Sequence, residues 1–266
     1  MSQFIPVSTS FVQDKAHLTK TQKFVAIQPS QVEAALKPYG FNLVSLKTGR
    51  ARLADRADHQ TTIARYRSEN ELKINGLSMD LVFKIPHLYG AIEAFLGTYR
   101  QVCSNGLVVG QKFFECPRIR HVGNALNQLE TLIPIIIAKH NELADSIREM
   151  QSRNVTPEAL AIFVKEIAQL RLGQNEKIVS IQYNDLMRVR RDADNGQDVF
   201  SILNVVQENV MRYGLRYQTE TTAQDGTKLI RNMNARPVTR NENESVKSVD
   251  LNASIWDAAT RILMAA

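Results

Sequence analysis

Apolar positions recur along this chain in two rhythms, and the rhythm changes near residue 122. Ahead of that point, short segments alternate. Thr61, Ile63 and Arg65 fall on one side of an extended stretch, and Thr62, Ala64 and Tyr66 fall on the other. Leu81-Val82-Phe83-Lys84-Ile85 reads as another strand, stopped by Pro86. Residues 99–109 are β-rich around Ser104-Asn105-Gly106, where Asn-Gly signals a tight turn. Residues 24–27 read as a further strand. Ser30 is placed to cap a short helix that ends at Tyr39-Gly40, because glycine adopts the left-handed conformation helix ends prefer. Phe41, Leu43 and Leu46 open an extended run that turns at Lys47-Thr48-Gly49 and returns through residues 51–53.

Beyond residue 122 the spacing becomes three and four. Leu126, Leu129, Ile133, Ile136, His140, Leu143, Ile147 and Met150 form one helical seam, with Pro134 expected to kink or break it. Thr156-Pro157 caps a second helix carrying Leu160, Phe163, Ile167 and Leu170. A third runs from Asp198 through Leu203, Val206 and Val210 to Gly214, and a last one carries Ile255, Trp256, Ala259, Ile262 and Leu263. The two long seams fit an antiparallel hairpin within one chain, or a contact between subunits. Residues 216–250 are polar and mixed in charge. Asp225-Gly226 can turn a hairpin there, and a loop fits equally.

The expected fold is therefore α+β: a mixed, mostly antiparallel sheet with a short helix in the N-terminal half, and a helical C-terminal half with a long helical hairpin. The expected organisation is an N-terminal arm (1–20), an α/β domain (21–121), a helical region (122–215), a polar loop or hairpin (216–250) and a C-terminal helix (251–266).

Composition narrows the classes. In 266 residues, 44% hydrophobic and 23% charged content suits a globular fold and not a disordered one. The longest apolar run, residues 132–138, is too short to cross a bilayer and contains Pro134. Gln13, Asp14 and Lys15 interrupt any signal-peptide pattern, so a cytoplasmic place in a bacterial host cell is expected. Cys103 and Cys116 are too few for a disulfide scaffold. The net charge of +6 tilts the expected partners towards polyanions.

Four constellations carry candidate chemistry. Gly106-Leu-Val-Val-Gly110-Gln111-Lys112 lacks the Gly-Lys-Ser/Thr ending of a phosphate loop, so ATP-driven work is disfavoured and no cofactor is expected. Cys103, Cys116, His87 and His121 show no metal-ligand spacing, and Cys103 reads as a packed strand residue. His140 sits in the helical seam as a core or interface histidine. Finally, Arg50, Arg52, Arg65, Arg67, Arg100, Arg118 and Arg120 gather around the expected sheet. Arg65 and Arg67 project from one face of a strand, suited to phosphate, with Tyr66 and Tyr99 available to stack on bases. A solvated charged face partly neutralised by Asp55, Asp58 and Glu69 accounts for the same pattern.

The segment Arg100-Gln-Val-Cys103-Ser-Asn105-Gly106-Leu107-Val-Val-Gly110 resembles the core motif of the phage- and plasmid-borne family known as domain of unknown function 932. Residues 24–27 followed by a helix and Gly40-Phe41 are similar to its opening. Arg118 to His121 look like its basic-plus-histidine step. Gln207-Glu208-Asn209 before Gly214-Leu215, then the Trp256 helix, resemble the tail of its YafZ/YfjQ-type prophage branch. Where members carry His-Asp-Gly-Ser, this chain reads His87-Leu88-Tyr89-Gly90, which removes an acid and a hydroxyl from the histidine's side. The resemblance implies a mobile-element protein. A layout like that of Rad52-type annealing proteins then leads to an expected function: ATP-independent binding or annealing of single-stranded DNA in phage recombination, with homo-oligomers as the working form. The rival is an accessory factor that acts on a host protein without catalysis. A third reading is a hydrolase using His87 and His121.

Overall fold

The computed structural model describes residues 20, 23–49, 59–71, 77–100, 106–108, 118–173, 177–238 and 246–265. The chain divides into two compact units, residues 1–145 with 243–246, and residues 146–242 with 247–266. The division falls inside a helix and not ahead of it. The α+β class is as the patterning predicts.

The first unit opens with α1 (Pro29–Leu36), capped by Gln28 and so starting two residues earlier than a cap at Ser30 would place it. Pro29 occupies the first helical position, where its missing N–H costs nothing. Gln31 turns its side chain back to accept from the Gln28 N–H at 2.9 Å. A 3-10 turn follows, and Gly40 closes it at φ 74°. Four strands then form an antiparallel meander: β1 (Phe41–Thr48), β2 (Thr62–Glu71), β3 (Leu77–Ile85) and β4 (Ala91–Arg100). β5 (Gly106–Val108) pairs with β4, Tyr99 opposite Gly106, so Gly106 lies in the strand and not in a turn, and Asn105 lies outside the described residues. β6 (Ile119–Arg120) pairs with the start of β4. The strand expected over residues 24–27 reduces to one bridge from Phe24 to Val122, continued by the Val25 N–H to the His121 carbonyl at 2.9 Å.

β2 and β3 are buried on both faces. One face carries Leu43, Ala64, Tyr66, Leu81, Phe83 and Leu96 and meets α1, where the Tyr66 hydroxyl donates to the Pro29 carbonyl at 2.9 Å. Phe41, at the edge of this face, stacks on His140 of α2 (Ala125–Ser152), ring centroids 6.4 Å apart. The opposite face carries Ile63, Arg65, Arg67, Asp80, Val82, Lys84, Glu93 and Phe95. The α2 seam is buried from Leu129 to Met150, and the helix continues through Pro134, whose ring lies on the exposed side. Only the solvent side loses a hydrogen bond there, so the expected break does not occur.

In the second unit, α3 (Pro157–Leu172) starts at a Thr156 cap that accepts from the Ala159 N–H at 3.2 Å. α4 (Val199–Glu208) starts at Asp198, which accepts from the Ser201 N–H at 2.9 Å. α4 passes into a π-helical turn, Asn209–Tyr213. A three-stranded antiparallel sheet holds β7 (Ile178–Ile181), β8 (Leu215–Thr222) and β9 (Lys228–Ala235), so the hairpin alternative applies to residues 215–235. α5 (Val246–Ile262) starts ahead of the expected residue 251 and buries Ile255, Trp256 and Ala259. β9 is exposed along almost its whole length. No described helix is long and apolar enough to cross a membrane.

Candidate functional site

The arginine row is where expectation and structure part. Arg65 and Arg67 do share a face of β2, with Tyr66 on the other, but that face is covered. Arg65 Nη1 donates to Asp80 Oδ2 at 2.8 Å, and Arg67 donates through Nε to Oδ1 at 2.8 Å and through Nη2 to Oδ2 at 3.1 Å. Asp80 is fully buried and Arg65 is 4% exposed. Two guanidinium groups on one sealed carboxylate hold β2 to β3; they do not meet phosphate. Tyr66 is equally buried, edge-on to Phe83 at 5.8 Å, and burial pushes its hydroxyl pKa far up. It cannot stack on a base. The expectation failed because alternation locates a strand's two faces without saying whether one of them meets water.

Arg118 and Arg120 fare differently, since both are exposed. Arg118 Nε donates to Glu93 Oε1 at 3.1 Å, and Glu93 also receives Lys84 at 3.2 Å, yet the Arg118 side chain stays 68% exposed. It forms one wall of a groove of about 340 Å³. The opposite wall is the start of α2: Asn124, Asn127, Gln128 and Thr131, with Ile119, Leu132 and Ile135 providing apolar surface. Gln128 Nε2 donates to Asn124 Oδ1 at 2.7 Å, ordering the amides. The first turn of α2 carries no acidic residue, so the positive end of the helix dipole is unopposed there. Sequence reading placed Arg118 and Arg120 but missed the amide wall, which the seam analysis passed over as the polar side of a helix.

Arg50, Arg52, Cys103, Asn105 and Cys116 lie outside the described residues. For Tyr99, Arg100 and Gly106 only the backbone is described; they sit at the β4–β5 pairing. Among the described residues no three His, Cys, Asp or Glu side chains converge as a metal site.

His87 and His121 do come close. His87 Nε2 shares a 3.1 Å hydrogen bond with Thr62 Oγ1, and both groups are buried. His121 Nδ1 donates to the Val25 carbonyl at 3.1 Å and its ring stacks on Phe24 at 5.0 Å, with the Pro86 backbone also beside the buried ring. Burial, then the neighbouring His121 and His59, pulls the His87 pKa down to about 4. His140 is pulled to about 4 by burial as well, against the opposing pull of its Ile137 hydrogen bond and Asp80. Its Nδ1 donates to the Ile137 carbonyl at 3.1 Å, so a proton added at Nε2 would be buried without a partner.

A pH dependence follows with a definite sign. Both native pKa values lie below the unfolded value, so this stability is complete above pH about 6.5 and is lost as pH falls towards 4. The loss is on the order of 3 kcal/mol per histidine at most. Urea unfolding at pH 7, 5.5 and 4.5 should show it, with a shallower decline in His140→Leu; a flat profile across that window would refute the assignment.

In the second unit, polar residues that sequence reasoning met only as a family signature do structural work. Asn209, in the π-helical turn, donates through Nδ2 to the carbonyls of Leu186 at 3.0 Å, Arg188 at 2.9 Å and Val205 at 2.9 Å. Glu208 accepts from Arg191 Nη2 at 2.8 Å and Nε at 3.2 Å. Together they strap the basic segment Arg188-Val189-Arg190-Arg191 to the end of α4. Asp185 accepts from Arg216 at 2.6 and 2.9 Å, and that pair, followed by the charge of Arg190, holds its carboxyl below the usual range.

Two Escherichia coli (strain K12) proteins, UPF0380 protein YafZ and UPF0380 protein YfjQ, are each 22% identical over 260 residues, covering 98% of this chain and 89% of theirs. No solved structure matches significantly. A family model described as "Domain of unknown function (DUF932)" matches residues 16–256, and the chain belongs to that family.

Proposed function

We propose that this protein binds single-stranded DNA, without ATP, along the groove between Arg118 and the first turns of α2, and that it serves strand annealing in the recombination of a mobile element. The groove carries the proposal. An exposed guanidinium, a row of amides and a hydroxyl stand over apolar surface at the positive end of a 28-residue helix. Phosphate oxygens suit the guanidinium and the helix end, while bases lie against Leu132 and Ile135. Arg120 adds charge nearby, and the net charge of +6 favours approach of a polyanion. The reaction makes and breaks no bond. Copies assembled side by side would hold a strand backbone while its base edges stay free to pair, in the cytoplasm of a bacterial host.

The test is fluorescence anisotropy of labelled oligo-dT and of a duplex across a salt titration. Single-strand binding is expected to weaken with salt, and Arg118→Gln is expected to lower the salt slope by about 1. Asn127→Ala should weaken binding with little change in slope. Absence of binding at low salt overturns the proposal. The accessory-factor reading would then take its place, favoured by β9, the edge strand of its sheet among the described residues, where Leu229, Ile230 and Met233 stand 40–64% exposed.

A further inference from the structure

The π-helical turn does more than strap a loop. Asn209 and Tyr213 are four residues apart, and both engage Arg190. Asn209 Oδ1 accepts from Arg190 Nε at 2.6 Å, and the Tyr213 ring lies under the guanidinium, its centroid 3.4 Å from Cζ. The backbone before it is fixed as well, by Asn209 to the Arg188 carbonyl, and the side chain of the next residue, Arg191, is held by Glu208. Arg190 thus has its plane and its Nε set by neighbours, and the chain leading into it is held at Arg188.

Its two terminal amino groups donate to nothing among the described residues. The carboxylates in reach of its field are taken: Asp185 is held bidentate by Arg216, and Glu208 by Arg191. Arg190 is half-buried, and the exposed Arg188 and Tyr213 lie beside it in sequence or in contact. A structural arginine would be expected to spend its fork on a carboxylate or carbonyl. Here the fork is oriented, stacked and unspent.

We infer that Arg190, set by Asn209 and Tyr213, is a binding site for the oxyanion of a phosphate ester. The guanidinium fork matches two phosphate oxygens with two parallel N–H donors. Since the surroundings already immobilise the side chain, little rotamer freedom is lost on binding. Arg188 supplies further positive charge at the rim. The phosphate can belong to a free phosphorylated compound or to a nucleic-acid backbone, and the chemistry is shared. The inference stands apart from the groove at Arg118, because it requires no nucleic acid.

The experiment is isothermal titration of the full-length chain with pyrophosphate and, separately, with oligo-dT, for the wild type, Arg190→Gln, Arg190→Lys and Arg118→Gln. Arg190→Gln is expected to weaken pyrophosphate about tenfold, with Arg190→Lys recovering only part of the loss, because it keeps the charge without the fork. A pyrophosphate-dependent shift of the Arg190 Nε–H resonance locates the contact, a readout that a purely structural role leaves unmoved. Loss of both probes in Arg190→Gln assigns the site to a nucleic-acid backbone; loss of pyrophosphate alone assigns it to a free phosphate ester. Failure of the wild type to bind pyrophosphate, or equal affinity in folded Arg190→Gln, overturns the inference. Weak oligo-dT binding in Arg118→Gln with pyrophosphate unchanged keeps the two sites distinct.

Discussion

Replacing Asp80 by leucine should cost the first unit about 3–5 kcal/mol, a large fraction of the 5–15 kcal/mol that ordinarily separates folded from unfolded chains. The carboxylate lies at the centre of a covered sheet face, and Arg65 and Arg67 both point at it. Removing it leaves two positive charges side by side, Arg65 buried and Arg67 only 17% exposed. The penalty is desolvation and mutual repulsion, not the modest net worth of the ion pair itself. That distinction is testable. Asp80→Leu combined with Arg65→Met and Arg67→Met removes the charges together with their partner and should recover most of the loss, since apolar groups of similar volume pack well in such a position. Urea unfolding of the single and triple variants decides it. If the single substitution costs less than about 1 kcal/mol, the value of an exposed pair, the face is wet and the arginines are available to a ligand after all.

This cluster also marks how far the sequence could be read. The meander was legible because Thr61 to Tyr66 alternate and Pro86 ends the run from Leu81 to Ile85, and the helices because their seams and their Thr156 and Asp198 caps are local signals. Whether Arg65 and Arg67 meet water depends on Asp80, which is separated from them by 13 residues or more and becomes their neighbour only through the β2–β3 register. No local pattern encodes that. The basic clamp of the second unit is a similar case. Arg188 to Arg191 looks like a solvated charge run, and Gln207-Glu208-Asn209 looks like a polar lapse in an apolar helix. Buried polar residues in such a helix need partners, and that demand was the available signal. The amide wall beside Arg118 left no such trace, because Asn124, Asn127, Gln128 and Thr131 fall where any amphipathic helix places its polar residues.

Gly214→Ala should be the most damaging single methyl in the second unit, at about 4 kcal/mol. Two costs combine. The residue sits at φ 82°, where a side chain is strained by about 1–2 kcal/mol. A Cβ there would also lie 2.1 Å from the Ala235 carbonyl oxygen, which is backbone and has no rotamer to yield. Gly214 needs this close approach because it ends the π-helical turn and at once starts β8, whose Leu215 pairs with Ala235 of β9. Easing the clash means lifting β9 from β8 or moving Tyr213, and moving Tyr213 dismantles the seat of Arg190. Gly226→Ala supplies the internal control: φ is 84°, but nothing lies within 4 Å of the added carbon, so only the conformational cost applies. Thermal unfolding should therefore separate two substitutions that a backbone-angle argument treats as equal. Equal losses would mean that the turn yields without cost, and the rigidity attributed to the Arg190 site would go with it.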